Sequence, residues 1–141
     1  MSDARAAILE KEEAAHVELL NAAKYGNIAD VEAAIGQGLS INYANEAGWT
    51  PLIWAATTEQ VEMVSWLLAH GADVNAQNDQ GTTALHQAAY LGTSDGSEAA
   101  LAMVSALLKN GADKSLKDEN GYTAGFFAAE QGDAAIVKLL S

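Results

Sequence analysis

The fold of this chain is decided by a stretch that occurs three times, first as Gly48-Trp-Thr-Pro-Leu-Ile-Trp-Ala-Ala56. It returns as Gly81-Thr-Thr-Ala-Leu-His-Gln-Ala-Ala89 and again as Gly121-Tyr-Thr-Ala-Gly-Phe-Phe-Ala-Ala129. The first two copies begin 33 residues apart, and an apolar segment with helical spacing follows each of the three. A fixed period with several matched positions indicates a protein built from stacked structural repeats.

The repeated positions have the chemistry that helix ends require. In each copy a threonine stands where its hydroxyl can accept hydrogen bonds from the free amides of a first helical turn. The three residues are Thr50, Thr83 and Thr123. Pro51 follows at the first helical position, where its missing N–H costs nothing. Gly71 and Gly111 follow the apolar segments, and we expect them to end those helices in a left-handed conformation.

These residues resemble the ankyrin repeat, of the small single-domain bacterial type, from about His16 to the C-terminus. The resemblance implies an all-α solenoid of about four helix–turn–helix repeats that form one domain. Four such units exceed the roughly three that a continuous core requires. The expected parts are residues 1–44 (a capping repeat with a helical lead), 45–77, 78–117 and 118–141 (the C-terminal capping repeat).

The third repeat is longer than the second, because Gly81 and Gly121 are 40 residues apart. The extra seven residues fall at 93–99, and their polar composition predicts a surface loop between two helices. Insertions in repeat proteins often lie on the binding face. A lengthened surface loop is also tolerated at small entropic cost, so both interpretations stay open.

Charge and composition exclude several classes of function. The net charge is −12, and from Tyr25 to Leu108 there are nine acidic residues and no Lys or Arg. Such a field repels nucleic acids and anionic membranes, so neither is an expected partner. It attracts a basic protein surface, although solubility alone is an equally good explanation of the charge. The absence of cysteine excludes disulfides, thiol catalysis and cysteine-based zinc sites.

The first thirteen residues are charged and lack the apolar stretch of a signal peptide, which predicts a cytoplasmic location. A bacterial periplasmic location is the alternative, if a signal peptide has been removed.

The candidates for catalysis are poor, and we expect no enzyme activity, cofactor or metal. His86 matches the histidine of the ankyrin motif, and the resemblance implies that it hydrogen-bonds the turn. His70 lies at a helix C-terminus, and His16 lies one helical turn from Glu12 and Glu13. No nucleophile, zinc-protease or phosphate-loop pattern is present. The acidic residues at the turns lack the alternating ligand pattern of a calcium loop.

The resemblance implies a concave binding face, formed by the turn tips and the first helix of each repeat. The predicted contact residues are Tyr25, Glu46, Trp49, Thr57, Asp79, Gln80, Thr82, Tyr90, Leu91, Glu119 and Tyr122. Tyrosine and tryptophan are favoured binding anchors because they bury a large area with few rotors. The alternative is that one or two of these rings pack on a neighbouring turn. Four other rings are assigned to core or inter-repeat positions, namely Trp54, Trp66, Phe126 and Phe127.

The sequence therefore favours a protein-binding module that is monomeric when free and holds one folded partner, either an enzyme or a protein with a basic patch. We interpret it as a stoichiometric inhibitor or immunity-type protein that regulates an enzyme. The main alternative is an adaptor that joins two proteins through the concave face and the 93–99 loop. A small-ligand binder or an enzyme is the remote alternative.

Overall fold

The computed structural model describes residues 2–91 and 98–141, and the side chains from residue 4 onward within those ranges. This part of the chain contains eight helices and no strand. They are α1 (Ser2–Lys24), α2 (Ile28–Gly36), α3 (Pro51–Thr57), α4 (Val61–Ala69), α5 (Ala84–Leu91), α6 (Glu98–Lys109), α7 (Ala124–Gln131) and α8 (Ala134–Leu140). None of these helices has both the length and the apolar character needed to cross a bilayer.

The helices form two layers, and each packs mainly on its neighbours. In the first layer α1 contacts α3, α3 contacts α5, and α5 contacts α7. In the second layer α4 contacts α6, and α6 contacts α8. Alanine pairs such as Ala55–Ala56 and Ala88–Ala89 are fully buried between first-layer helices, and their small size lets the helices approach closely. The predicted all-α solenoid of four helix pairs is confirmed.

The helix ends have the caps that the sequence predicts. The hydroxyl oxygen of Thr50 accepts a hydrogen bond from the backbone N–H of Ile53 at 3.2 Å, and Pro51 occupies the first helical turn. Thr83 and Thr123 cap α5 and α7 in the same way. Gly71, which follows α4, has a φ of +91°, the left-handed conformation expected there.

The turns between repeats are held in register by two kinds of hydrogen bond. Within each turn, one side-chain oxygen accepts bonds from the backbone N–H groups two and four residues later. The three residues that do so are Asn45, Asn78 and Asp118. Between turns, the N–H of Asp79 donates to the carbonyl of Ala47 at 2.9 Å, and that of Glu119 donates to Gln80 at 2.8 Å. The turn tips therefore form a continuous ladder.

Glycine is required at the turns because the next turn lies against it. A Cβ on Gly48 would lie 2.8 Å from the Cα of Asn78, and one on Gly81 would lie 2.9 Å from the Cα of Asp118. Real Cβ atoms essentially never come this close to backbone. A Cβ on Gly121, in the last turn, would meet nothing within 4 Å.

The loop predicted at residues 93–99 is wrong at its C-terminal end. Glu98 and Ala99 belong to α6, which has 12 residues where α4 has nine. Alanine and glutamate favour a helix, a glutamate in the first turn complements the helix dipole, and Ala100 is fully buried. Two of the seven extra residues of the third repeat therefore lengthen α6. The remainder of the predicted loop, residues 93–97, lies outside the described residues.

Candidate functional site

The turn tips and the first-layer helices together form one surface, here called the groove face. Most of the predicted contact residues have exposed side chains on it: Tyr25, Glu46, Asp79, Gln80, Tyr90, Glu119 and Tyr122. Thr82, Trp49, Thr57 and Leu91 are half-buried. The aromatic side chains of this face fall into two clusters, one near each end of the chain.

The N-terminal cluster contains Trp49, Trp54, Tyr25 and Lys24. The rings of Trp49 and Trp54 lie with their centroids 4.4 Å apart, and both are half-buried. The ammonium of Lys24 lies 4.8 Å from the centroid of Trp54 and 5.5 Å from that of Tyr25. These distances are typical of cation–π contacts. Trp49 therefore packs within its own repeat, on Trp54 of α3.

The C-terminal cluster contains Tyr90, Tyr122, Phe126 and Phe127. Tyr122 and Phe126 are stacked, with centroids 4.0 Å apart and planes 6° from parallel. Phe127 meets the other three edge to face at 5.5–6.0 Å. Such arrangements favour aromatic pairs beyond their buried area. All four rings therefore form one contiguous aromatic surface.

The assignment of Phe126 to the interior is wrong, because 39% of its surface is exposed. Within the described residues α7 has a first-layer neighbour on one side, α5, and so one flank of the helix is open. Phe127 is half-buried and packs against the core, as predicted. Trp66 is half-buried and packs against the core, as predicted, whereas Trp54 is half-buried and contacts Trp49.

A cleft of about 210 Å³ opens on the groove face beside the C-terminal cluster. Its walls are Thr82, His86, Gln87, Tyr90, Asp118 and Phe127. Of these, Thr82 and Tyr90 are predicted contact residues, and the other four are not. Asp118 could have been found from its match to Asn45 and Asn78 in the repeat, because that position begins every turn.

The buried ring of His86, which lines the cleft, makes hydrogen bonds to the residues on either side of it. The backbone N–H of Thr83 donates to Nδ1 of His86 at 3.2 Å, so Nδ1 carries no proton. The proton is therefore on Nε2, which donates to the backbone carbonyl of Tyr122 at 2.9 Å. The ring is neutral and 2% exposed. It links α5 to the following turn, which confirms the structural role predicted for it.

A family model described as ankyrin repeats, in three copies, matches residues 19–118. The chain belongs to the ankyrin-repeat family.

Similar curated proteins share part of this ankyrin array. The ankyrin repeat, SAM and basic leucine zipper domain-containing protein 1 of Atelerix albiventris is 34% identical over 70 residues, which are 50% of this chain and 15% of that protein. Its counterpart in Dasypus novemcinctus is 40% identical over 57 residues, 40% of this chain and 12% of that protein. The likeness therefore spans a small part of those relatives' length.

Two of the predicted contact residues are engaged within the ankyrin stack. The hydroxyl of Thr57 donates to the carbonyl of Ile53 at 2.7 Å and accepts from the side-chain amide of Gln87 at 2.9 Å. Leu91 packs against the core. Their contribution to a binding site stays a prediction, as does that of the other predicted residues.

The two remaining histidines make local contacts. Nδ1 of His16 lies 2.7 Å from the carbonyl of Glu12, and its ring stacks on Tyr43 at 4.1 Å. His16 thus bonds the backbone of Glu12. Nδ1 of His70 lies 2.8 Å from the carbonyl of Trp66, on whose ring it stacks at 3.8 Å. In residues 2–91 and 98–141, no three His, Asp or Glu side chains are placed to hold a metal ion.

Hydrogen bonds within one turn shift the titration of the Asp113 carboxyl. The hydroxyl of Ser115 donates to Oδ1 of Asp113 at 2.6 Å, and the backbone N–H of Ser115 donates to the same atom at 2.9 Å. These bonds favour the charged form and hold the pKa of Asp113 below its ordinary value. The group is fully exposed at the surface, away from the cleft, and the shift is a consequence of turn geometry.

A second, larger cleft of about 520 Å³ lies between α1 and α2. Tyr25 is the aromatic residue in its wall, and small side chains such as Ala15, Ala22 and Ala33 form much of the rest. It is separate from the cleft beside Tyr90 and Phe127, with which it shares no lining residue.

Proposed function

We propose that this ankyrin-repeat chain binds one folded protein through the groove face, and that binding inhibits or protects that partner. Ankyrin repeats are a protein–protein interaction module, and the family model covers most of the chain. The inhibitory or protective role and the choice of face go further than family membership. They are supported by the aromatic and charged side chains of the groove face.

The observation that carries the proposal is the exposure of the C-terminal aromatic cluster. Tyr90, Tyr122 and Phe126 are 55%, 40% and 39% exposed, although each contacts the ring of Phe127. A contiguous exposed apolar patch is a common mark of an interaction surface. Aromatic residues are also enriched among the few side chains that supply most of the energy of a protein interface. This cluster therefore has the composition of an anchor site.

The acidic turn tips of the groove face support a partner with a basic surface. Glu46, Asp79 and Glu119 have exposed side chains on consecutive turn tips. The chain from Tyr25 to Leu108 contains no Lys or Arg to offset Glu46 and Asp79, whereas Lys117 stands two residues before Glu119. Complementary charge at the rim of an interface raises the association rate and excludes wrong partners.

Binding alone, without any chemistry by this chain, is sufficient to inhibit or protect a partner. A rigid surface that covers part of an enzyme blocks access to the covered part without any chemistry. His86, the histidine in the cleft, gives a catalytic role no support, because both of its ring nitrogens make hydrogen bonds within the fold. An adaptor role is the second candidate, and the separate cleft between α1 and α2 favours it by offering a second surface.

A capture experiment in the native source tests the proposal. The tagged chain is compared with Tyr90→Ala, with Trp49→Ala and with the double variant. Tyr90→Ala removes an exposed ring, and we expect an affinity loss of about 30-fold, typical of an interface anchor. Because Trp49 packs on Trp54, its variant is interpreted only if circular dichroism shows a folded protein. Glu62→Ala, on the exposed side of α4, is the control and should bind normally.

Calorimetry with the captured partner then distinguishes the inhibitory or protective role from the adaptor role. The proposal predicts a 1:1 complex in which an activity of the partner is blocked or its degradation is slowed. Two partners bound at once would support the adaptor instead. Full recovery of the partner by the folded double variant would rule out the groove face as the binding site.

A further inference from the structure

The two aromatic clusters differ in whether a cation of this chain lies over their rings. In the N-terminal cluster, the ammonium of Lys24 already lies over the ring of Trp54. In the C-terminal cluster, none of the six residues that line the cleft is a lysine or an arginine. The first cluster thus contains a cation of its own chain, whereas no lysine or arginine in residues 2–91 and 98–141 lies over a ring of the second cluster.

The cleft beside Tyr90 and Phe127 has the groups that hold a cationic side chain. The two rings are nearly perpendicular, at 79°, with centroids 6.0 Å apart, so they form two walls. Asp118 lines the same cleft and contributes a carboxylate. Aromatic faces attract cations through the ring quadrupole, and a carboxylate adds a charge-assisted hydrogen bond.

One oxygen of Asp118 is available for such a bond. Its Oδ1 accepts the backbone N–H groups of Asn120 and Tyr122 at 2.9 and 3.0 Å. In the described part of the chain, its Oδ2 has no hydrogen-bond partner. The carboxylate is therefore fixed in position by the turn, and one oxygen stays open to a donor from outside.

The volume of the cleft limits the size of its occupant. At about 210 Å³ it is smaller than the roughly 300–1,000 Å³ of pockets that enclose drug-sized ligands. One long side chain is a better match. Among the described residues that line the cleft, Asp118 is the one carboxylate and none is a lysine or an arginine.

We propose that this cleft receives an arginine side chain of the protein partner. The guanidinium lies against Tyr90 and Phe127 and donates to Oδ2 of Asp118. Arginine suits the site better than lysine, because its planar group stacks on aromatic faces and presents several N–H donors in a fixed fork. This inference rests on the proposed function and identifies the chemistry by which the partner is recognised.

The test is an NMR titration of the intact chain with N-acetyl-arginine amide. N-acetyl-citrulline amide has nearly the same shape without the charge, and N-acetyl-lysine amide has the charge without the planar group. At equal ionic strength, we expect saturable shifts at Tyr90, Phe127 and Asp118 with the arginine compound. The lysine compound should bind more weakly, and the citrulline compound should produce no saturable shift.

Asp118→Asn is the variant that tests the carboxylate without breaking the turn. Asn45 and Asn78 make the same two backbone contacts in the preceding turns, so asparagine is compatible with this position. Loss of the charge should weaken arginine binding about three- to fivefold, in the range of a partly exposed ion pair. Glu62→Gln changes the net charge equally at a distant surface and should leave binding unchanged.

Three results would overturn the inference. They are equal binding of the arginine and citrulline compounds, lysine binding as tight as arginine, and an unaltered affinity in folded Asp118→Asn. Failure here is distinct from failure of the proposed function. If Tyr90→Ala loses the native partner but the arginine compound does not bind, protein binding stands and the cleft assignment is wrong.

Discussion

The Nε2–H group of His86 donates a 2.9 Å hydrogen bond to the backbone carbonyl of Tyr122, 36 residues further along the chain. This bond joins helix α5 to the turn that precedes α7. The ring of Tyr122 stacks on Phe126 next to that turn, and Phe127 lines the cleft. The exposed aromatic surface therefore depends on a buried contact between repeats.

Replacing His86 with alanine should destabilise the protein strongly. The buried ring makes contacts with the N–H and hydroxyl of Thr83 as well as with the carbonyl of Tyr122. We expect a loss of about 2–3 kcal/mol in the free energy of unfolding, measured by urea denaturation. His70→Ala is the control, because His70 is exposed and its ring contacts only the nearby Trp66 among the contacts described above, and it should cost less than about 1 kcal/mol. Equal losses in the two variants would contradict the role assigned to His86.

A comparison of Gly81→Ala with Gly121→Ala separates the cost of a strained backbone from the cost of a steric clash with the next turn. Both glycines have positive φ, +73° and +82°, so both variants carry the left-handed penalty of about 1–2 kcal/mol. Only Gly81→Ala also places a Cβ 2.9 Å from the Cα of Asp118. Gly81→Ala should therefore lose clearly more unfolding free energy in urea. A loss equal to that of Gly121→Ala would show that the turns are not in the close contact described.

Gly125→Ala should stabilise the protein. Gly125 lies in α7, and an added Cβ would make ordinary contacts, the nearest at 3.6 Å to the carbonyl oxygen of Leu140. Alanine in a helix is favoured over glycine by about 0.5–1 kcal/mol, which corresponds to a Tm increase of roughly 2–4 °C. Gly132→Ala is the matched control, because that glycine ends α7 with a φ of +79° and should lower the Tm. A lower Tm for Gly125→Ala would contradict this prediction.

The Asp113–Ser115 contact should depend on pH in one direction. Because the pKa of Asp113 is lowered on folding, its contribution to stability is present above the unfolded pKa and is lost as the pH falls through the folded pKa. Ser115→Ala removes the hydroxyl bond, the largest cause, and should raise the pKa of Asp113 in an NMR titration. Ser115→Thr keeps a hydroxyl and should leave the low pKa in place. An unchanged pKa in Ser115→Ala would exclude the hydroxyl as the cause.

The sequence predicts the local features of this fold well, because the same chemistry recurs in each repeat. The caps at Thr50 and Thr123, the left-handed Gly71 and the buried alanine pairs follow from positions that match between copies. The start of α6 at Glu98 is not predicted, because a polar run with serine and glycine is typical of a loop. The burial of Ala100, which stabilises the first turn of α6, depends on the packing of the helices.

The candidate site was harder to predict, because it depends on how neighbouring repeats are placed. Phe126 occupies a repeat position that is interior when another helix covers it, and no described helix of its layer covers that side of α7. The contact of Lys24 with Trp54 and the cleft between Tyr90, Asp118 and Phe127 join residues of different repeats. A repeat pattern shows which residues are equivalent, and it does not show these distances.

Site-specific photo-crosslinking in extracts of the native source tests the central claim most directly. A photoreactive amino acid is placed at Gln80, an exposed turn tip of the groove face, or at Glu62, exposed on the second-layer helix α4. Binding through the groove face predicts one discrete crosslinked protein from position 80 and none from position 62. A crosslink to the same protein from position 62, with none from position 80, would contradict it.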